Sequence, residues 1–243
     1  MSQRLYTEHV RYHGSQLCVE EMPLSRIAAE FGTPCFVYSR AALTSAFESF
    51  DSPFGASAHL ICYAVKANSN LAILQLFARL GSGFDIVSGG ELARVLKAGA
   101  DPRRVVFSGV GKRVDEMEFA LDAGILCFNV ESQSELQRLS ALAHARGQLA
   151  PVSIRVNPDV DPKTHPYIST GLKNNKFGVP FEQARSLYRE ASALPGIRIA
   201  GIDYHIGSQI TEIPPFLDAL EKVLGVVDSL DADGIELEHL DLG

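Results

Sequence analysis

The chain lacks the marks of a membrane, secreted or nucleic-acid-binding protein. No stretch approaches the roughly 18 uninterrupted apolar residues of a membrane span, and the opening segment MSQRLYTEHVRYHG has no hydrophobic signal core. Basic residues are in deficit, with 22 Lys and Arg against 29 Asp and Glu. The formal net charge of −7 argues against nucleic acid or an anionic membrane as partner. We therefore predict a soluble cytoplasmic protein.

Cysteine is sparse as well. The four cysteines, Cys18, Cys35, Cys62 and Cys127, show no CxxC spacing. Neither His nor Cys residues have the spacing of metal ligands, so we predict no metal. Three of the thiols lie in strand-like apolar runs, CFVYS, ICYAV and LCFNV, where we expect them to be buried and reduced.

Short apolar runs alternate with amphipathic runs along the chain. A leading section ends in the helix LSRIAAEFG, after which CFVYS is typical of a strand and RAALTSAFESF of a helix. Seven further strands are predicted, and each except the last precedes a helix: HLICYAVKA, GFDIVS, VVFSG, CFNVES, PVSIRVNP, IRIAGIDYHIGS and LEHLDLG. The first four begin about 22 residues apart, the step of a βα unit.

This alternation leaves two architectures, an open doubly wound sheet and a closed (β/α)₈ barrel. Polar residues stand at the carboxyl ends of many strands rather than at one switch point, which favours the TIM-type barrel. Seven barrel strands are visible, so the eighth is absent and we expect a truncated chain. The loop from Asp159 to Gly178 is about 20 residues long, and we predict a mobile lid that ligand would protect from limited proteolysis.

Lys66 ends the strand in ICYAVKANSN and admits two interpretations. One is a lysine that lays its stem on apolar surface and keeps its ammonium in water. The other is a lysine that forms a Schiff base with a carbonyl compound. The other strand ends supply acids, an arginine, a histidine and small residues suited to a phosphate, which favours a phosphorylated aldehyde cofactor.

Seven segments, in this order, resemble the bacterial diaminopimelate decarboxylases: YAVKANSN, GFDIVSGGEL, FSGVGK, FNVES, RVNPDVDPKTHPYISTGLKNNKFG, YHIGSQI and LDLG. These are pyridoxal phosphate enzymes of the alanine racemase-like barrel, fold type III. The similarity runs from about residue 5 to Gly243. Each motif alone is weak, whereas seven in register are highly specific.

The resemblance implies a role for each matching residue. Lys66 is similar to the lysine that holds pyridoxal phosphate covalently, and His205 to the histidine that stacks on its ring; these two are the expected catalytic residues. Ser208 and Gly243 resemble phosphate-binding groups, and Asp85 an acid near the cofactor. Arg155 resembles the arginine beside the cofactor, which we predict to pair with Asp85. Glu91 also matches an acidic position, although a glutamate in the first turn of a helix is stabilised there in any case.

The resemblance also implies organisation and activity. Residues 1–34 would contribute to a second, β-rich domain, and residues 35–243 would form an incomplete cofactor-binding barrel. The family is homodimeric and decarboxylates meso-diaminopimelate to L-lysine. Its later cofactor and substrate groups have no counterpart after LDLG, so we expect this chain alone to be inactive and poorly folded.

Other functions remain open at this point. The chain could be a related decarboxylase, for example of carboxynorspermidine, or an amino-acid racemase on the same barrel. It could also be a non-catalytic pyridoxal phosphate-binding homologue, although the intact Lys66 argues against this. GVGK, residues 109–112, lacks the GxxxxGK[ST] spacing of a phosphate loop. The Ser69 hydroxyl is expected to cap the following helix.

Overall fold

A small antiparallel sheet and one helix precede the main body of the protein. The computed structural model describes residues 8–160, 177–208 and 210–243. Strands β1 (Val10–His13), β2 (Gln16–Val19) and β3 (Met22–Pro23) pair in chain order, and helix α1 (Leu24–Phe31) follows directly. The predicted end of α1 at Gly32 is confirmed, because this residue adopts φ +79, a conformation that side-chain-bearing residues rarely take.

The main body is a parallel sheet of βα units, as the sequence predicts. In the described ranges its strands are β4 (Cys62–Ala64), β5 (Gly83–Ile86), β6 (Val105–Phe107), β7 (Cys127–Val130), β8 (Ala150–Asn157), β10 (Ile197–Asp203) and β11 (His239–Asp241). Each pairs with the next, in the order β4-β5-β6-β7-β8-β10-β11, and the short β9 (Val179–Pro180) pairs with β8. The order never reverses, so there is no topological switch point. The seven strands form a curled partial barrel, and the predicted barrel class is confirmed.

Helices cover the outer face of this sheet. They are α2 (Arg40–Asp51), α3 (Leu71–Arg79), α4 (Gly89–Lys97), α5 (Val114–Ala123), α6 (Gln133–Ala145), α7 (Phe181–Ala193) and α8 (Pro214–Asp231). Phe84 and Ile86 of β5 are fully buried in one cluster with Leu92 and Val95 of α4. Because side chains alternate along a strand, Asp85 points to the opposite, inner face.

The inner face has its own small apolar cluster, built from Val106, Cys127 and Ala200. Burial raises the pKa of the Cys127 thiol to about 12, so it stays protonated at neutral pH. Nearer the carboxyl ends of the strands the inner residues become polar. The sheet therefore separates an apolar outer core from a polar interior.

Side-chain caps fix where several helices begin. Ser132 and Glu135 have the spacing of a capping box, and Ser132 Oγ accepts the Glu135 N–H, but the Glu135 carboxylate bonds Lys112 instead of returning to the cap. The prediction that Ser69 caps α3 is wrong. Asn70 does so, because its Oδ1 accepts the Ala72 N–H at 2.9 Å.

The run CFVYS does not form a strand, contrary to the sequence-based expectation. Residues 35–39 have no ladder partner in the described part of the chain, and Phe36 is 90% exposed. Cys35 is exposed rather than buried, while Cys127 is buried and Cys62 half-buried. β propensity describes a side chain that packs on a pleated surface, and this segment has no sheet beside it.

Two further expectations concern the predicted lid and membrane-spanning helices. Most of the predicted lid, residues 161–176, lies outside the described residues. No helix in the described ranges combines the length and apolarity needed to cross a bilayer.

Gly201 is required where β10 meets β11. An added Cβ would lie 2.5 Å from His239 Nε2 and 2.7 Å from the His239 carbonyl oxygen. We expect Gly201→Ala to lower the free energy of unfolding by about 1 to 3 kcal/mol, the usual range for overpacking. Urea denaturation of the purified protein measures this.

The matched control for that change is Gly225→Ala. Gly225 lies inside α8 with open space around its Cα, so alanine should be neutral or stabilising by about 0.5–1 kcal/mol. Equal destabilisation by the two substitutions would contradict the packing argument.

Candidate functional site

The carboxyl ends of the parallel strands bring polar side chains together on the inner face. Register places Asp85 of β5 beside Ala64 of β4, and Asp203 of β10 beside both Arg155 of β8 and Asp241 of β11. Parallel strands direct paired residues to the same side of the sheet, so these charged groups share the interior. The predicted site residues lie at this end of the sheet.

Lys66 follows β4 in a short 3₁₀ turn, Val65–Ala67. Val65 is fully buried and anchors the turn in the outer core, whereas Lys66 is exposed. Its positive charge favours a lower pKa for both Asp85 and His205. The lysine is therefore accessible and lies at the edge of the polar interior.

Asp85 is held in an unfavourable place for a carboxylate. Burial raises its pKa to about 6, against the lowering effects of the Ser108 hydroxyl and Lys66. Its Oδ1 atom is buried and has no hydrogen-bond partner among the residues that the structure describes. A buried acceptor without a donor marks a position where a ligand or water can bind.

Glu91 has a structural role. Its Oε2 accepts the Val87 N–H at 2.8 Å while Ser88 Oγ, at the N-cap, accepts the Glu91 N–H, so both residues bond backbone N–H groups at the start of α4. This contact supports the interpretation of Glu91 as a residue of the first helical turn.

His205 lies just beyond β10 and is half-buried. Burial, together with the positive charges of Arg155 and Lys66, lowers its pKa to about 4. At neutral pH its imidazole is therefore uncharged. A neutral ring presents a flat face on which a planar aromatic ligand can stack.

Gly243 packs closely against Tyr204 and His205. It adopts φ +85, and an added Cβ would lie 2.5 Å from the Tyr204 carbonyl oxygen and 2.8 Å from His205 Nδ1. Only glycine fits this position without strain. Its N–H donates to Asp241 Oδ1 at 3.0 Å. Ser208 is exposed beyond the same strand end, and its neighbour Gln209 lies outside the described residues.

Arg155 pairs with a different acid from the one predicted. Its Nη1 donates to Glu131 Oε1 at 2.9 Å, and Asp203 Oδ2 lies 3.9 Å from its Nε. No ion pair joins Arg155 to Asp85, although the structure describes both residues, so this prediction is wrong. The reason is strand order, because β7, which leads to Glu131, is next to β8, whereas β5 is three strands away.

Asn129 bridges the interior of the curled sheet. Its Nδ2 atom donates to Ser108 Oγ at 3.1 Å and to Asp241 Oδ2 at 2.9 Å, although β7 and β11 are separated by two strands. Its Oδ1 atom is buried without a partner. Alternation of side chains along β7 accounts for Asn129 on the inner face, two residues after Cys127. The sequence gives no indication of this cross-barrel bond.

The GVGK segment turns its lysine inward. Lys112 Nζ donates to Gly109 O, Asn129 O and Glu135 Oε1 at 2.7–2.8 Å, and its side chain is 1% exposed. All three donors are used within the protein, so this lysine ties the strand ends to α6 and has no capacity left for a phosphate.

The residues present fit pyridoxal phosphate. Lys66 is accessible and can bond its aldehyde, the flat face of the neutral His205 imidazole suits its ring, and cationic Arg155 suits its anionic groups. The unpartnered oxygens of Asp85 and Asn129 show that the interior has acceptors to spare for a ligand.

Fold and site together define a class of cofactor-binding barrel. The chain belongs to the pyridoxal-dependent decarboxylases, because residues 40–243 match the model of the pyridoxal binding domain of that family.

Particular members of that class are closely similar. The chain is 58% identical over 228 residues to the diaminopimelate decarboxylase of Vibrio cholerae, and the aligned region covers 94% of this chain and 55% of the relative. The Helicobacter pylori diaminopimelate decarboxylase, solved in complex with L-lysine, matches with a TM-score of 0.88 and 45% identity over 90% of this chain and 56% of that one. The lysine decarboxylase of Selenomonas ruminantium matches with a TM-score of 0.79 and 26% identity, over 93% and 56%. The chain thus spans about half the length of the relatives it matches.

Proposed function

We propose that the chain is the cofactor-binding part of a diaminopimelate decarboxylase, which converts meso-2,6-diaminopimelate to L-lysine and CO₂ in the last step of lysine biosynthesis. The observation that carries this proposal is Lys66, exposed in the turn after the strand whose Ala64 pairs with Asp85, the acid that keeps a buried oxygen without a donor in the described residues. The identity of 58% to a diaminopimelate decarboxylase, against 26% to a lysine decarboxylase, supports the choice of substrate.

In this proposal the predicted residues divide the binding of pyridoxal phosphate among them. Lys66 bonds the cofactor covalently, and His205 stacks on its ring. Ser208 and Gly243 bind the phosphate, while Asp85 and Arg155 lie beside the cofactor. When bound, the cofactor supplies an electron sink for the pair left on the substrate carbon after CO₂ departs.

The protein's own groups prepare this chemistry. Lys66 Nζ must lose a proton before it can attack an aldehyde, and Asp85, with its pKa raised to about 6, is a better proton acceptor than an ordinary carboxylate. His205 stays neutral and therefore adds no positive charge against the ring. Fixed contacts from His205 and Arg155 orient the ring, which is catalysis by positioning.

We further propose the organisation and location of the protein. Residues 1–34 contribute to a β-rich domain, in keeping with the antiparallel strands β1 to β3, and residues 35–243 form the cofactor-binding barrel. We propose a homodimer in the cytoplasm, with no membrane or nucleic-acid partner, consistent with the net charge of −7.

The test is to incubate the purified protein with pyridoxal phosphate, reduce it with borohydride and map the labelled peptide by mass spectrometry. We expect one label, on Lys66. Absence of any label both from this chain and from a version extended to the length of its relatives, or a label only on other lysines, would contradict the proposal.

A related decarboxylase is the second candidate. The Selenomonas ruminantium enzyme shows that a lysine decarboxylase shares this fold, and carboxynorspermidine is another possible substrate class. Substrate profiling with CO₂ detection separates these from diaminopimelate. Inversion at the α-carbon without CO₂ release would instead indicate a racemase, and cofactor binding without turnover a non-catalytic homologue.

A further inference from the structure

Glu131 stands behind Arg155 and is almost fully enclosed. Its Oε1 atom accepts the Arg155 Nη1–H at 2.9 Å and the Gly109 N–H at 3.1 Å, and its Oε2 atom accepts the Gly178 N–H at 2.9 Å. The Glu131 side chain is 2% exposed and that of Arg155 is 9% exposed. The carboxylate thus gathers three donors from three separate segments of the chain.

Arg155 is held on its other sides as well. Its Nη2 donates to the His205 carbonyl oxygen at 3.4 Å, and its guanidinium carbon lies 5.1 Å from the centre of the Phe177 ring. Gly178 packs against the Arg155 backbone, where an added Cβ would lie 2.9 Å from the carbonyl oxygen. Glu131 is the one full hydrogen-bonded charge partner among these contacts, since the Asp203 carboxylate lies farther away, at 3.9 Å from Nε.

A second buried ion pair lies nearby and has a different connection. Lys112 and Glu135 pair at 2.7 Å and are both almost fully buried. Glu135 lies on α6 and also accepts the Glu131 backbone N–H, but its ion pair is with Lys112 rather than with Arg155. Each buried acid therefore has its own base. Because an isolated buried charge is costly, loss of either acid should disturb mainly its own partner.

We propose that Glu131 is a positioning residue for Arg155, and that through Arg155 it sets the backbone at His205 and the affinity for pyridoxal phosphate. The ligand in this inference rests on the function proposed above. Glu131 itself does not touch the cofactor. It fixes the direction of the guanidinium at the end of a long side chain with several rotatable bonds.

The test uses Glu131→Gln, which keeps the size and shape of the side chain but removes its charge. The new amide NH₂ group also faces the N–H donors of Arg155, Gly109 and Gly178, which it cannot accept. Two quantities are measured on the purified protein. The first is the Arg155 Nε–H resonance in ¹⁵N-arginine-labelled, cofactor-free protein, assigned by its loss in Arg155→Met. The second is the dissociation constant for pyridoxal phosphate. We expect the resonance to broaden and the dissociation constant to rise about tenfold or more, the loss expected for a charged hydrogen bond.

Glu135→Gln is the matched control, because it removes an equally buried carboxylate from the neighbouring ion pair. It should lower the urea midpoint while changing the Arg155 resonance and the dissociation constant much less than Glu131→Gln does. In the Arg155→Met background, Glu131→Gln should weaken cofactor binding no further, since the group it positions is gone.

Three outcomes decide between the claims. Equal effects of Glu131→Gln and Glu135→Gln on both measurements would overturn the positioning role. If the unaltered protein takes up no pyridoxal phosphate, the proposed function fails, and the Arg155 resonance alone then supports or overturns the link to Glu131. If Glu131→Gln does not fold, Glu131→Asp, which keeps the charge but withdraws the carboxylate, replaces it with the same expectations.

Discussion

Replacing Lys66 by arginine is expected to abolish the borohydride-stable attachment of pyridoxal phosphate. Arginine keeps the positive charge, but its guanidinium stays protonated and cannot attack an aldehyde. Lys66 is exposed, and its 3₁₀ turn is anchored by Val65, so the fold should tolerate the change. Mass spectrometry of the reduced protein and the absorbance of bound cofactor measure the loss.

Lys97→Arg is the control for this substitution. Lys97 is exposed in the last turn of α4, so the same chemical change there should leave the label on Lys66 intact. A label of equal yield in Lys66→Arg would show that another lysine carries the cofactor. Lys112 is a poor alternative, because all three of its donors are bonded within the protein.

The architecture could be predicted from the sequence because local patterns determine it. Each apolar run is short, is followed by an amphipathic helix and recurs at the spacing of a βα unit. Sequential pairing then follows from short connections, and polar residues at the strand ends fall on one face. Lys66, Asp85, Arg155 and His205 were found in this way and lie at the carboxyl ends of the sheet.

Contacts across the barrel were harder to predict. Alternation along the strands puts both Asp85 and Glu131 on the inner face. The order of the strands must also be considered to see that Glu131, which follows the neighbour of β8, is the acid that reaches Arg155. The bond from Asn129 to Asp241 spans 112 residues and depends on how tightly the sheet curls. No periodic pattern in the sequence predicts how strongly the sheet curls.

The failed strand at residues 35–39 shows a different limit. Its aromatic and β-branched residues suit a sheet, but strand propensity measures the fit to neighbours rather than a preference of the backbone alone. In the described structure no strand lies beside it, and Phe36 and Tyr38 stack on each other instead, with ring centres 6.4 Å apart.

Asparagine at position 85 is expected to stabilise the cofactor-free protein at neutral pH. The pKa of Asp85 rises from an ordinary 3.8 to about 6 on folding, because burial disfavours its charged form. Between pH about 4 and about 6 the folded protein keeps a proton that the unfolded chain has released. Stability is therefore lost as the pH rises through this window, and above it the loss amounts to about 3 kcal/mol.

Urea denaturation at pH 4 and pH 7.5 checks this prediction. Asp85→Asn should nearly match the unaltered protein at pH 4 and exceed it by about 3 kcal/mol at pH 7.5, because the amide has no charge to bury. Asp228→Asn, on the exposed surface of α8, should stay within about 0.5 kcal/mol of the unaltered protein at both values. A pH-independent gain would show that the Asp85 carboxylate is not destabilised by burial.

The same variant links stability to function. If Asp85 takes the proton from Lys66 Nζ, Asp85→Asn should bind pyridoxal phosphate more weakly and form the reducible bond more slowly, even though it is more stable. Stability and cofactor capture would then change in opposite directions in one substitution. A variant that gained stability and captured the cofactor as before would show that this buried acid has no part in the reaction of Lys66.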